Sequence, residues 1–511
     1  MESTSVVILV FALLITVGIA SRKRSTLKNP PGPPQLPIVG NLLNFPRGHD
    51  WIQFQKYSKE FNSDLLYFRL FWNRVVVVNS AKAARDLFEK RSNVYSDREK
   101  TVMVYELTGW HRNIAVMEYG DRWRMHRRNF HQYFRPDAIP NYHPRVTLGV
   151  HRLLNSLLET PEEFATHIRF MSGSTTLDIV YAIDPMPKHD PILEAAEEGV
   201  ECLSEIINAG SYLVDSVPIL KYLPEWFPGA EFKRQAARWK EKVDALHLRP
   251  YEVAKKAWDS GNAKPCIATT LLENLDKAAD KADYEDMVIN VTAMAFQAGT
   301  DTTVLTLTTF VLAMLMFPEC QKAAREEIDR VVGRDRLPEF SDRESMPYIT
   351  AMAHEVLRWH PAVPLAVPHK TSTDDTYEGY FIPKGTIIVG NSYAILRDEK
   401  RYPNPEVFDP TRFLTKDGKL NPDVPDPTEA FGFGRRICAG RHFADHVLWL
   451  TIAKVLAVFH LEEPLDAQGR VIKAKEDYTT GMFSMPKNLK ATFKPRSSDA
   501  AKMIRASLAD A

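Results

Sequence analysis

The sequence predicts a mainly α protein with a small β region (α+β), and three observations carry that expectation. Met287 to Phe317 is apolar over most of its length, follows the polar stretch DYED and stops before Pro318, which reads as one helix about 45 Å long. A second apolar stretch follows Cys438, where Phe443, Val447, Leu448, Leu450, Ile452, Val455, Leu456 and Phe459 surround a whole helix, so burial on every side is expected. Strand signals are short and sit far apart in the chain: LLYFRL and Val75 to Val78 early, YEGYFIPKGTIIV around Ile387 late, with Gly379 and Gly385 as turn residues.

Taken from the N-terminus, Thr4 to Ala20 form a 17-residue stretch without a charge, at the short end of a membrane-spanning helix. Glu2 precedes it, and Arg22, Lys23, Arg24 and Lys28 follow it. A cleavable secretory signal has its positive charges first, so a retained anchor over residues 1–21 is expected, with a cleaved signal as the alternative. The basic side stays cytosolic, which sends the short N-terminus to the lumen. Residues 22–50 read as a basic flank and a stiff hinge, because Pro30, Pro31, Pro33, Pro34 and Pro37 hold the backbone extended. Beyond Trp51 no repeat or long linker interrupts the chain, so residues 51–495 are read as one large domain and 496–511 as a polar tail. Asn290, Gln297, Asp301 and seven threonines would be costly facing lipid, so Met287 to Phe317 is expected to be a buried core helix.

The 511 residues carry 65 basic and 65 acidic side chains, a balance that argues against a nucleic acid as partner. Four cysteines, Cys202, Cys266, Cys320 and Cys438, lie too far apart for a CxxC pair or a readable disulfide framework. Cys438 stands apart from the other three, in FGFGRRICAG just before the buried helix. Glycines there allow tight turns and the close approach of a flat ligand. The helix N-terminus with Arg435, Arg436 and Arg441 stabilises a thiolate, so a low-pKa sulfur ready for a metal is expected. The alternative is a buried structural cysteine in a glycine-rich turn.

Phe431, Gly434, Arg436, Cys438 and Gly440 match the pattern FxxGxRxCxG at every fixed position, and the chain resembles the cytochrome P-450 superfamily. PPGPP near the N-terminus, AGTDTT in the long helix, ExxR at Glu355 to Arg358 and PTRF at Pro410 to Phe413 extend the resemblance over nearly the whole chain. It implies a triangular fold behind an N-terminal transmembrane helix, with haem b (iron protoporphyrin IX) between the long central helix and the helix after the cysteine loop. Cys438 is then implied as the axial iron ligand, where a thiolate favours O–O cleavage. Arg436, Trp123, Arg127 and His369 are implied as haem propionate partners, while a solvated basic face is the alternative for Trp123 and Arg127.

The resemblance also assigns oxygen activation to Ala298 through Thr303, with a small residue and a glycine making room over the iron in a distorted helix. Two protons must be delivered there, and Thr302 with Asp301 is the implied route. The alternative is that Thr302 bonds back to its own helix and Asp301 pairs a buried cation. Glu355, Arg358 and Arg412 are implied as a structural trio holding the cysteine loop.

Two other motifs fail on spacing. His354-Glu355 starts an HExxH, but the second histidine is His360 and Arg358 stands in the ligand position. Gly432 and Gly434 open a GxGxxG whose third position is Ile437, so no nicotinamide site is visible and electrons must arrive from a separate protein, for which the resemblance implies a membrane-bound NADPH-dependent flavoprotein reductase. The cluster Arg122 to Arg128, with Arg435 and Arg441, is a candidate docking face for it, with solvated surface charge as the alternative.

The segment DSVPILKYLPEWFPGAEFKR looks like fungal microsomal members of secondary metabolism. Within it Ile219, Leu220, Leu223, Trp226 and Phe227 are expected at a bilayer interface. The expected pocket draws on TVMVYELTGWHRN, on Ala362, Val363 and Leu365, and on Met482-Phe483, an apolar lining suited to a terpenoid or polyketide. The resulting expectation is a monooxygenase on the endoplasmic reticulum membrane, single-pass and facing the cytosol, that oxidises a hydrophobic small molecule. A haem isomerase or dehydratase needing no O2, and a non-enzymatic haem-binding protein, are the competing readings.

Overall fold

The computed structural model describes residues 27–207 and 212–509; the expected anchor and most of its basic flank lie outside them. Within the described residues, helices of nine or more residues are α1 (Asp50–Glu60), α2 (Asp121–Phe134), α3 (His143–Glu159), α4 (Phe164–Tyr181), α5 (Pro191–Ile206), α6 (Glu231–Asp259), α7 (Lys281–Met316), α8 (Pro318–Val331), α9 (Pro347–Trp359), α10 (Arg441–Val458) and α11 (Ser498–Ala506). The strands are β1 (Leu65–Leu70), β2 (Asn73–Val78), β3 (His369–Lys370), β4 (Asp375–Tyr377), β5 (Tyr380–Ile382), β6 (Ile387–Gly390), β7 (Phe459–Glu462) and β8 (Thr492–Pro495). The mainly α expectation with small sheets is met.

The early and late strand signals meet in one sheet of order β1-β2-β6-β3. β1 and β2 form an antiparallel hairpin, and Val75 of β2 pairs in parallel with Ile387 of β6. Val76, Val78 and Ile388 pack on one side of this sheet, Val75, Val77 and Val389 on the other. Burial on both faces is why the strand reads as a continuous apolar run instead of an alternation.

Helix α7 begins six residues before the expected Met287. Asp280 caps it, accepting from the backbone N–H of Ala282 and Asp283 at 3.0 Å each, so the polar DYED stretch forms its first turns. Its 36 residues run about 54 Å. Among the described residues it alone is long and apolar enough to cross a membrane, yet 78% of its most apolar window is buried in the body, packed by α2, α4, α6 and α10. It is the core helix.

Two segments near the ends of the described chain are tied to the body. Residues 30–41 do not stand free: Tyr67 N–H donates to Pro31 O at 2.8 Å and Asn41 Nδ2 to Pro33 O at 3.1 Å. Gly32 permits this approach, because a Cβ there would lie 2.2 Å from Tyr67 O. The tail expected over 496–511 contains α11, which buries Ala500 and Ile504.

Helix α10 is buried on all sides from Val447 to Leu456, and that stretch includes Lys454 at 1% exposure. Lys454 Nζ donates to His151 Nε2 at 2.6 Å, and His151 Nδ1–H donates to Ser507 O at 2.8 Å, linking α10 and α3 to the end of α11. Burial pushes the Lys454 ammonium from 10.5 down to about 8, only partly offset by Glu339. Between those pH values the unfolded chain holds this proton and the folded chain does not. The stability contributed at this site therefore rises with pH across the window and is lower by about 3 kcal/mol below it. Lys454→Met is expected to remove that slope, so urea unfolding of wild type and variant between pH 7 and 10 should show their stabilities converging as pH rises.

Candidate functional site

Residues 428–440 wrap one sulfur. Cys438 N–H donates to Phe431 O at 2.8 Å and Arg436 N–H to Phe433 O at 3.1 Å, closing two turns. Gly434 sits at φ +53°, and a Cβ on it would lie 1.9 Å from Phe88 O. Phe433 stacks on Phe88 with centroids 4.9 Å apart and fills the space left by Gly390 of β6, where a Cβ would meet the ring at 2.2 Å. Gly440 answers to a different need: its φ is −88° and it ends the loop where α10 begins.

Cys202, Cys266 and Cys320 are buried, whereas Cys438 exposes its surface to a cavity between α7 and the start of α10. Its pKa departs from the sequence expectation. Burial raises the thiol above its ordinary value, and the Gly440 and Arg441 N–H groups with the Arg127 and Arg441 charges offset this only in part. The helix N-terminus and arginines are present, but desolvation outweighs them.

Around the same cavity stand three guanidinium groups that form no ion pair among the described residues. Arg436 donates from Nε to Ser96 O at 2.8 Å and lies 4.4 Å over the Trp123 ring, while its Nη2 is buried without a partner. Burial brings its pKa down to about 9. Arg127 donates to Ile437 O at 2.5 Å, and burial lowers its pKa as well. Arg98 donates to Ala115 O at 2.7 Å and to Val367 O and Pro368 O at 2.6 Å, with its pKa pushed far down by burial. The Trp123 Nε1–H is also buried and unpartnered. His369 Nδ1–H donates to Tyr95 O at 2.6 Å, and burial keeps the ring neutral.

Three desolvated cations without a counter-ion, one of them with an orphaned N–H group, are costly unless anions join them. The cradle therefore fits the two carboxylates of a haem, and its open centre is flanked by Cys438. Trp123, Arg127, Phe130 and Phe134 share the cavity-facing side of α2, while Arg122 pairs Asp286 at 2.8 Å and Arg124 pairs Asp121 at 2.5 Å. The cavity-facing side of the helix thus carries Trp123 and Arg127, and the ion-paired Arg122 and Arg124 lie off it. Arg98 was not among the expected residues, since its setting SDREK reads as surface.

Asp301 and Thr302 line the opposite wall. Thr302 Oγ1 donates to Ala298 O at 2.7 Å, and Asp301 Oδ1 accepts from Arg169 Nη1 of α4 at 2.6 Å. These are the contacts of the alternative reading. They leave Asp301 Oδ2 buried without a partner, and burial raises this carboxyl to about 6 against the lowering by Arg169. Arg169 also lies 3.4 Å from Glu197 of α5 and is one-third exposed. The helix stays α-helical here, not distorted, and the space left by Gly299 is taken by Thr176 of α4, where a Cβ would be 2.6 Å from its methyl.

Glu355, Arg358 and Arg412 come together in one buried ion-paired cluster. Glu355 accepts from Arg358 Nε at 2.6 Å and Nη2 at 2.8 Å, and from Arg412 Nε at 3.0 Å. Arg358 also donates to Leu396 O at 3.2 Å; the short helix Ser392–Leu396 reaches the cysteine loop through Ser392 Oγ to Glu429 O at 2.7 Å. Of the expected pocket, Asn113, Ala362, Val363, Met482 and Phe483 line the cavity. Leu365 packs beside the sheet instead, and Val200, Leu203 and Ile207 contribute from the α5 side without having been foreseen.

A family profile described as Cytochrome P450 matches residues 30–493. The chain is 39% identical over 502 residues to cytochrome P450 monooxygenase ple1 of Rhodocybe pseudopiperita, covering 97% of this chain and 96% of that one. It is 40% identical over 482 residues to cytochrome P450 monooxygenase COX2 of Coprinopsis cinerea (94% and 91%), and 38% over 486 residues to tryptamine 4-monooxygenase of Psilocybe cyanescens (94% and 95%).

Gly434→Ala combines a left-handed backbone with a clash against a carbonyl. It is expected to cost about 3 kcal/mol or more, read as a lower melting temperature and a reduced ratio of haem to protein absorbance.

Proposed function

The chain belongs to the cytochrome P450 family and is a monooxygenase, and from that premise we propose a membrane-anchored enzyme that takes NADPH electrons from a separate flavoprotein reductase and oxidises a hydrophobic small molecule of fungal secondary metabolism, a terpenoid or polyketide. The carrying observation is the cavity that joins the Cys438 sulfur to three buried arginines without counter-ions. When bound, haem would supply the redox-active iron for the reaction with O2, and the Cys438 sulfur would hold that iron.

In this reading Arg98, Arg127, Arg436, Trp123 and His369 hold the propionates and fix the orientation of the group in the cavity. Phe431, Gly434 and Gly440 shape the loop that presents the sulfur. Asp301 releases and takes up a proton near pH 6, with Arg169 fixing Oδ1 and leaving Oδ2 to exchange it. Thr302 would accept that proton on a lone pair and release its own hydroxyl hydrogen towards the cavity, breaking its bond to Ala298 O as it does so.

Membrane association is supported on the described surface by Ile219, Tyr222, Trp226 and Phe227, all exposed. Trp72 Nε1 donates to Ser216 O at 2.7 Å and adds the β1–β2 turn to the same apolar region. A separate reductase suits the basic groups left outside the cavity, Arg122, Arg124, Arg128, Arg435 and Arg441.

Reduced protein under carbon monoxide is expected to give the red-shifted Soret band of a thiolate-ligated haem, absent in Cys438→Ala; a wild type without it sinks the haem-thiolate reading. Thr302→Ala is expected to retain haem while diverting NADPH electrons to hydrogen peroxide, by about tenfold or more relative to product. Coupled turnover in that variant would remove Thr302 from the proton route.

A further inference from the structure

The part of the cavity away from the arginines is apolar, with Val200, Leu203, Met294, Val363, Met482 and Phe483 among its lining. Its few hydroxyl donors are spent on the helix that bears them. Thr302 donates to Ala298 O at 2.7 Å, Thr303 to Gly299 O at 2.8 Å and Thr306 to Thr302 O at 2.8 Å. Asp301, when ionised, has nothing to donate.

One side-chain pair is different. Asn113 and Gln297 both line the cavity and are 3% and 5% exposed. Ala115 N–H donates to Asn113 Oδ1 at 2.8 Å, which fixes the orientation of that amide and turns its Nδ2 towards Gln297. Asn113 Nδ2 then donates to Gln297 Oε1 at 3.1 Å. The Gln297 amide is thereby oriented as well, and its Nε2 hydrogens meet no acceptor among the described residues. A nearly buried amide N–H2 facing an apolar cavity costs free energy until an acceptor arrives.

We infer that Gln297, oriented by Asn113, is a specificity-determining residue whose Nε2–H donates a hydrogen bond to one oxygen atom of the substrate, a carbonyl, ether or hydroxyl on an otherwise apolar scaffold. This deepens the proposed function and rests on its reading of the cavity as the substrate site. Gln297 and Asp301 are four residues apart on one face of α7, so the anchor stands about 6 Å along the helix axis from the proposed proton route. The pre-existing oxygen thus sets which carbon is presented for oxidation. In reaction order, the substrate is a scaffold to which an earlier oxygenating or carbonyl-forming step has already given an oxygen, and not the parent hydrocarbon.

The bland use of the pair is as a tie between residues 110–117 and α7, and the test separates the two. Haem-loaded wild type, Gln297→Met and Gln297→Glu are titrated with matched probes, cyclic sesquiterpene hydrocarbons against the alcohol and ketone of the same skeleton, read by the haem absorption shift. Wild type is expected to bind the oxygenated members about tenfold tighter. Gln297→Met should lose that ratio while keeping its hydrocarbon affinity, and Gln297→Glu should favour alcohols over ketones. Equal loss for all probes in Gln297→Met, an unchanged ratio, or a wild type that shows no preference or binds no probe overturns the proposal. The carbon monoxide band is recorded on the same samples: its absence sinks the haem-thiolate reading, whereas a flat ratio with the band intact sinks the anchor alone.

Discussion

The Glu355 carboxylate is removed from water altogether, and four N–H groups replace that water: two from Arg358, one from Arg412 and the backbone of Asp409. Desolvation cancels much of the attraction in such a pair, so its net effect on stability is modest while its effect on geometry is large. The planar carboxylate and guanidinium fix α9 against the 410–413 turn. Arg358 then reaches Leu396 O, and the helix ending there holds Glu429 through Ser392. Arg401 adds a second grip on Glu429 at 2.8 Å. The position of the Cys438 sulfur is the last link in this series.

The cavity arginines obey the same physics with the opposite outcome. Arg358 is buried with its counter-ion supplied by the chain, whereas Arg98, Arg127 and Arg436 are buried with theirs withheld. Carbonyl oxygens of Ser96, Ala115, Val367, Pro368 and Ile437 hold these groups in place without neutralising them. The fold thus keeps positive charge in reserve at one wall and a high-pKa carboxyl, Asp301, at the other. A ligand carrying carboxylates at one edge is oriented by that asymmetry alone.

Residues whose chemistry demands one identity at fixed spacing were legible in the sequence. Cys438, Glu355, Arg358 and Arg412 stand where their pattern put them, and the β runs were found because two-sided burial leaves a continuous apolar signature. What escaped depends on partners distant in the chain. Arg98 looks like a surface charge until Val367 and Ala115 close over it. Gly299 reads as room for a ligand, but its missing Cβ faces Thr176. Arg169, the cation opposite Asp301, lies 132 positions away in sequence on another helix. The start of α7 was misjudged because its first turns are polar and solvent-facing, where the apolar pattern carries no signal but Asp280 does.

The parallel pairing of β2 with β6 has a consequence for how the chain is made. Val75 to Val78 emerge from the ribosome more than 300 residues before Ile387 to Gly390, which are their partners on that side. At roughly 5–20 residues per second the hairpin waits tens of seconds with a β-branched edge unpaired. Such an edge is a template for pairing with other chains, and its four consecutive valines lack the charges that would blunt it. Protection of this nascent edge during synthesis is a kinetic demand that the finished sheet, with β6 in place, no longer displays.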